Sequence, residues 1–284
     1  KAGDVYSFSI ILYEILTNEK PFFGFNEFQL AKKILSGYRP SFNENVSDPF
    51  KTLIESCWSE KPQKRPSFDE IVKNLKTNSK FITNSVNKEE FMDFIDFADD
   101  KSNQGKIKNS KQTIPKLCRK ISIDFKCIEK VDESEEKGFL NLSLFEKQSL
   151  ITKGEFSRIY QIKNRETGDV YSAKALTIEI EKLKENEQKF IQKEIKIISK
   201  LNHNLILKVV GFSPSGFDRK RRPVIVTEIP SNISLQQLFE SERKGTHNSE
   251  WNDTKKLIVI FGIALSMSIL HSHEILHRNL NPTS

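Results

Sequence analysis

Ile151-Thr152-Lys153-Gly154-Glu155-Phe156-Ser157-Arg158-Ile159-Tyr160, followed by Val170-Tyr171-Ser172-Ala173-Lys174-Ala175-Leu176, is the stretch from which the fold can be read. Short runs at 149–151, 159–162, 170–176 and 224–227 alternate apolar and polar residues. That period of two puts one side of each strand against a core. Thr167-Gly168-Asp169 supplies a turn between two of the runs. A helical pattern follows at about 187–201, and a long apolar one at about 253–272. Strands first and helices later indicate α+β layering, whereas βαβ units would alternate the two.

Toward the N-terminus the period changes. Val5, Phe8, Ile11, Leu12, Ile15 and Leu16 recur at helical spacing until Lys20-Pro21 closes the pattern. Further helices are expected at Glu27 to Leu35, ending at Ser36-Gly37, at Pro49 to Trp58, and at Phe68 to Leu75. The last is opened by Ser67, with Glu70 at capping-box spacing. Residues 77–141 lose this regularity. Residues 89–100 carry six acidic and no basic side chains, and 101–120 carry seven basic and no acidic ones. Like-charge blocks solvate and repel, so 77–141 reads as a charged, largely disordered linker. Within it Phe91, Phe94, Ile95 and Ala98 could form one short amphipathic turn that docks.

Composition bounds the class. The chain has 284 residues, 37% hydrophobic and 29% charged, with a formal charge of +7. That length allows one large domain or two small ones. The apolar run Leu257 to Leu270 is shorter than the ~18–20 residues that cross a bilayer, so it reads as a buried helix and no transmembrane segment is expected. The chain starts at Lys1 rather than Met, which is read as something other than a natural translation start. Three cysteines without a CxxC pair argue for a reducing, cytoplasmic compartment. His271 and His273 do not share a helical face, which argues against a metal pair. Arg219-Lys220-Arg221-Arg222 reads as a solvated hairpin loop, and no specific nucleic-acid site is expected.

The motifs in order resemble a protein kinase. Residues 151–160 are similar to the family's glycine-rich loop, with Gly154 kept and Thr152 and Ser157 in the outer glycine places. Tyr171-Ser172-Ala173-Lys174 resembles the strand carrying the phosphate-binding lysine. Glu194 lies on the helical stripe of Phe190, Ile197 and Leu201, where a carboxylate is costly unless paired. The resemblance makes Lys174 its partner. Leu201-Asn202-His203-Asn204-Leu205-Ile206 resembles the loop after that helix, and Val224 to Ile229 the hinge strand with Thr227 as gatekeeper. The resemblance places Ile151, Gly154, Ile159, Ser172, Lys174, Thr227, Glu228 and Ile229 around ATP, with backbone from Glu228 to Pro230 facing the adenine.

The catalytic loop departs from the family's H-R-D-L-x-x-x-N. In His277-Arg278-Asn279-Leu280-Asn281-Pro282-Thr283-Ser284, Asn279 stands at the base position and Ser284 at the magnesium position. A neutral amide cannot accept the proton of a substrate hydroxyl, and a serine hydroxyl is a poor ligand for magnesium. Asn281 also replaces a lysine common in the family. The second half therefore resembles a pseudokinase.

The first half resembles the end of another kinase domain, closest to the tyrosine-kinase-like group. Lys1 to Thr17 is similar to the central helix of the large lobe, with Asp4 where the family's aspartate accepts backbone hydrogen bonds from the catalytic loop. Cys57-Trp58 and Pro62 to Phe68 resemble the final helices, with Arg65 placed to pair with an activation-segment glutamate. The expected organisation is 1–76 as the C-terminal part of one kinase domain, 77–141 as linker, and 142–284 as the small lobe and start of the large lobe of a second. If the two parts dock, Asp4 should touch the 277–279 backbone. The resemblance implies a parent that transfers phosphate from ATP to protein hydroxyls and a catalytically deficient chain here. The alternative is an ATP-binding or scaffolding pseudokinase acting on a protein partner, with magnesium held weakly. Oligomeric state is left open.

Overall fold

The computed structural model describes residues 1–99, 140–154, 157–184, 201, 203–229 and 234–283. These fall into two compact units. The first is helical and draws on both ends of the chain, residues up to 99 and from 234 onward.

Its opening helix α1, Ala2–Thr17, buries Val5, Phe8, Ile11, Leu12 and Ile15, and Asn18 ends it in the left-handed conformation at φ 57°. Burying each such side chain stabilises by about 1.5–3 kcal/mol. Helix α2, Glu27–Leu35, starts with a capping box between Asn26 and Gln29, and Gly37 at φ 82° makes the turn after it. Helix α3 is Asp48–Cys57, and α4, Phe68–Thr77, carries the expected Ser67–Glu70 box. Helix α5 spans Lys88–Asp99. From the far end of the chain come α6, Leu235–Arg243, capped by Ser234, and α7, Asp253–Ser272, capped by Asn252. Helix α7 packs on α1, α4 and α5.

Two expectations are corrected here. The stretch from Ser79 to Asp99 is structured, where a charged linker was expected, and its amphipathic turn is a three-turn helix. The physical reason is that Phe91, Phe94, Ile95 and Ala98 form one inward stripe while the acidic residues stay on the solvent side. Phe91 and Phe94 meet Phe261 of α7 edge-on at 5.7 and 6.3 Å. The Asn87 amide donates to Thr254 Oγ1 at 2.8 Å, and Lys255 pairs with Glu90. Residues 100–139 lie outside the described residues. The second correction concerns α7, whose 20 residues are long and apolar enough to cross a membrane by length and composition alone. Length therefore does not exclude a span; burial explains the composition, since Leu257, Ile258, Ile260, Phe261, Ala264, Met267 and Leu270 are all buried in this unit.

The second unit, within residues 140–229, holds an antiparallel five-stranded sheet of order β1-β2-β3-β5-β4. Its strands are β1 Phe145–Lys153, β2 Ser157–Asn164, β3 Val170–Leu176, β4 Val209–Ser213 and β5 Val224–Glu228. Asn164 organises the β2–β3 turn through Oδ1, which accepts from the amides of Glu166 and Thr167, and Gly168 completes it at φ 75°. Phe145, Ile162, Ala173, Val224 and Val226 form the core on one face of the sheet. The arginine-rich run between β4 and β5 is engaged in ion pairs. Arg222 pairs with Asp218 at 3.3 Å and Glu179 at 3.4 Å, and Arg221 with Glu181 at 3.2 Å. Strand β4 and helix α6 were not anticipated, and the helix expected at 187–201 lies almost wholly outside the described residues.

Candidate functional site

Directly opposed residues of an antiparallel sheet share a face. Ile159 of β2 opposes Lys174 of β3, which opposes Ile225 of β5. One step along, Gln161, Ser172 and Thr227 make a second row. Both rows lie on the face opposite Ile162, Ala173 and Val226. Four residues from the sequence reading, Ile159, Ser172, Lys174 and Thr227, are thus brought together on one surface. Lys174 is half-buried and Ser172 is buried.

The other expected residues sit at the ends of strands. Ile151 is exposed on β1, at a register irregularity between Leu150 and Thr152. Gly154 follows β1, and its amide donates to the Ser157 carbonyl at 2.8 Å. A Cβ added there would meet the same carbonyl oxygen at 3.4 Å, an ordinary contact at its tight end. Glu228 ends β5 with its amide donated to the Lys208 carbonyl at 3.1 Å, and Ile229 follows, half-buried. Glu194, Pro230 and Ser284 lie outside the described residues.

In the helical unit, the loop after α7 is built around Asp4. Its Oδ2 accepts the His277 amide at 2.9 Å, and its Oδ1 accepts the Arg278 amide at 2.8 Å. His271 of α7 donates through Nε2 to Oδ2 at 2.9 Å. Burial alone would raise the Asp4 pKa; the hydrogen bonds from His271, Arg278 and His277 outweigh it and hold the carboxyl below its usual range. Arg278 sits at φ 62°, a left-handed conformation that costs a non-glycine residue about 1–3 kcal/mol unless its surroundings impose it. The Asp4 carboxylate is what imposes it. Asn279 follows on the surface, its carbonyl accepting from Asn281 Nδ2 at 2.8 Å, while Leu280 is buried beneath. The Gln236 amide donates to the Pro282 carbonyl at 3.0 Å, tying the loop to α6.

The contact between Asp4 and the 277–278 backbone, set out as the mark of docking, is present. The sequence reading missed two supports. His271 was weighed only as a metal ligand, and its place at the end of the apolar helix, six residues before His277, was the usable signal. Glu14, buried on α1, pairs with Arg243 of α6 at 2.5 Å, and Arg243 Nε also donates to the Asn18 carbonyl at 2.8 Å. Residues so distant in sequence give no local signal of pairing. Arg65 donates to the carbonyls of Ser59 and Ala2, both at 2.9 Å, and lies over the Tyr6 ring at 5.0 Å. Among the described residues no cluster of three or more His, Cys, Asp or Glu could hold a metal ion.

Residues 1–75 match the family of protein tyrosine and serine/threonine kinases, and residues 145–283 match the protein kinase domain. Among curated relatives, the probable serine/threonine-protein kinase drkC of Dictyostelium discoideum is 50% identical over 74 residues, 26% of this chain and 10% of that protein. A probable LIM domain-containing serine/threonine-protein kinase of the same organism is 38% identical over 85 residues, covering 30% and 13%. Human mitogen-activated protein kinase kinase kinase 7 is 42% identical over 72 residues, covering 25% and 12%. The chain spans about a tenth of the length of these relatives. The mixed helical and antiparallel-sheet architecture agrees with a protein-kinase-like fold, with a small-lobe sheet and large-lobe helices. Residues 1–75 and 145–283 are therefore each similar to protein-kinase sequence, and two of these relatives carry the name of probable serine/threonine-protein kinases.

Proposed function

We propose that this chain is a nucleotide-binding, catalytically deficient kinase relative, made of parts of two kinase-type domains joined through residues 100–139. The observation that carries the reading is the cross-strand row Ile159–Lys174–Ile225 on the face away from the sheet's own core. It sets an ammonium between two apolar side chains, a surface suited to the ring and phosphates of ATP. Bound ATP would supply a transferable phosphoryl group; Lys174 would hold the phosphates, with Glu194 as its partner.

Asn279 supports the deficiency. Its amide can orient a hydroxyl but takes no proton from it, so the base step of phosphoryl transfer has no acceptor there. With Ser284 at the other departing position, magnesium adds little to binding. The parent protein's transfer of phosphate to protein serine or threonine hydroxyls belongs to this proposal too, as does a cytoplasmic location.

The test is a thermal-shift titration of the chain with ATP, with and without magnesium, beside Lys174→Met. Nucleotide at a hundred times its dissociation constant should stabilise the wild type by about 2.7 kcal/mol. The variant should lose that gain, and no labelled phosphate should reach a generic protein substrate. Stabilisation that survives Lys174→Met, or steady phosphate transfer, would overturn the reading.

A scaffolding role is the second reading, favoured by the surface around α2. Phe23, Phe28 and Leu35 are 81%, 81% and 82% exposed beside the exposed Lys32 and Lys33. Apolar side chains so accessible are suited to a protein partner.

A further inference from the structure

Helix α2 has two apolar sides. Leu30 and Ile34 on one side are half-buried, and no described side chain of the helix is fully buried. Phe28 and Leu35, two helical turns apart, share the other side with Ala31, and all three are exposed. The loop before the helix adds Phe23. Phe22 and Phe25 turn their rings to Tyr38, with centroids 6.3 and 5.9 Å away, and Phe22 does so at φ 59°. A bulky residue in the left-handed region is strained, so the turn that leaves Phe23 in solvent is held at a cost. Residues 20–38 hold three lysines, Lys20, Lys32 and Lys33, against one glutamate, Glu27. The neighbouring Glu19 is committed, accepting from Tyr13 Oη at 3.2 Å and from Asn43 Nδ2 at 3.3 Å.

Exposed apolar side chains beside an excess of positive charge suit an occupant of the reverse charge. Phe28, Ala31 and Leu35 repeat at the three-four spacing of a helix seam, with Lys32 on its flank, where a partner's carboxylate would sit. The small Ala31 leaves a notch between two larger side chains. An incoming side chain can fill that notch, whereas a bilayer gains nothing from it. The helical unit already holds one acidic helix by this chemistry: α5 packs Phe91 and Phe94 on Phe261 and gives Glu90 to Lys255. A second copy offers no equivalent, because the apolar stripe of α5 is buried and Met92 is the large apolar side chain it leaves exposed. We infer that the outer side of α2 receives an acidic amphipathic helix of another protein. Its apolar row packs across Phe28, Ala31 and Leu35, and its carboxylates meet Lys20 and Lys32. The inference rests on the scaffolding reading and adds the chemistry of the partner.

The probe is a synthetic helix-favouring peptide of about 18 residues, with leucines along one heptad seam and glutamates around it. A second peptide carries lysine for every glutamate. Binding of each labelled peptide to the full chain is followed by fluorescence anisotropy at low and high salt. The acidic peptide should bind at least about tenfold more tightly than the basic one, and the gap should close at high salt. Phe28→Ser with Leu35→Ser should weaken the acidic peptide at least about tenfold. The unfolding temperature of that variant should stay at the wild-type value, because both side chains already stand in solvent. Lys20→Glu with Lys32→Glu should narrow or reverse the preference while the apolar row stays intact. Equal binding of the two peptides would overturn the acidic partner and leave the scaffolding reading standing. Capture by phosphatidylserine vesicles that is lost in the Phe28 and Leu35 variant would make the occupant a membrane and overturn the inference. A concentration-dependent dimer lost in the same variant would make it a second copy, with the same result. If no peptide, vesicle or second copy engages this side of α2, the scaffolding reading fails and the acidic partner with it.

Discussion

Asp4 is a single carboxylate that decides the shape of a loop. It fixes two successive amides and a buried imidazole, and the left-handed turn at Arg278 is held by those bonds. Asp4→Asn keeps the volume but leaves one acceptor oxygen for three donors. The expected cost is about 2 kcal/mol, in the range for a hydrogen bond to a charged group, read from urea unfolding at neutral pH. The pH dependence has a definite sign. Because the Asp4 pKa is depressed on folding, its contribution is complete above the unfolded carboxylate value of about 3.9 and fades as pH falls through the folded value. Wild-type and Asp4→Asn stabilities should therefore converge below about pH 4. Parallel curves down to pH 2 would show that the carboxylate's charge is irrelevant. At this scale much was legible: Asp4, Lys174 and Asn279 each sit in a short motif whose neighbours announce them. His271 was harder to read, because its significance lies in what stands across a helix from it.

Among elements, the best-read ones were those with local punctuation. Helix α2 has the bounds its helical pattern and the Ser36-Gly37 stop give, α4 begins at its Ser67–Glu70 box, and β3 coincides with its alternating run. Helix α5 was undervalued because six acidic residues in twelve look like a solvated tract, and only the Phe261 ring shows what its stripe is for. Helix α6 is short and polar outside Leu235, Leu238 and Phe239, so its hydrophobic period spans barely two turns. Its attachment depends instead on Arg243, whose guanidinium reaches the buried Glu14 carboxylate and the C-cap carbonyl of α1. Arg243→Ala would leave Glu14 buried and uncompensated, at a cost of about 3–5 kcal/mol. Glu14→Gln combined with Arg243→Met should restore part of that loss, since two neutral groups of similar size avoid the stranded charge. Denaturant midpoints of the wild type, Arg243→Ala and the double variant measure it, and a double variant no more stable than Arg243→Ala would mean that the two residues do not depend on each other.

At the scale of the molecule, the helical unit is discontinuous in sequence: helices from the first hundred residues share a core with the last fifty. The chain-order reading named the possibility but could not decide it, because amphipathic stripes declare that a helix is buried and not which partner buries it. If the interlocking contacts suffice, covalent continuity through residues 101–139 is dispensable. A specific protease site inserted there and cleaved in the folded chain should leave the two pieces co-eluting on a sizing column in native buffer and separating in denaturant. Dissociation on cleavage would mean that the unit depends on the tether.

The same discontinuity has a consequence for biosynthesis. Helix α1 leaves the ribosome with Val5, Phe8, Leu12 and Ile15 already displayed, yet α7, against which it packs, is complete only at Ser272. At roughly 5–20 residues per second, translation from the end of α5 to the end of α7 takes on the order of ten to thirty seconds. During that interval the nascent chain carries an apolar surface whose partner does not yet exist. Contacts of such long sequence separation also slow folding after release. Production of this protein should therefore be governed by how well chaperones shield its first hundred residues, and mutations that weaken α7 should lower yield long before they alter the finished molecule.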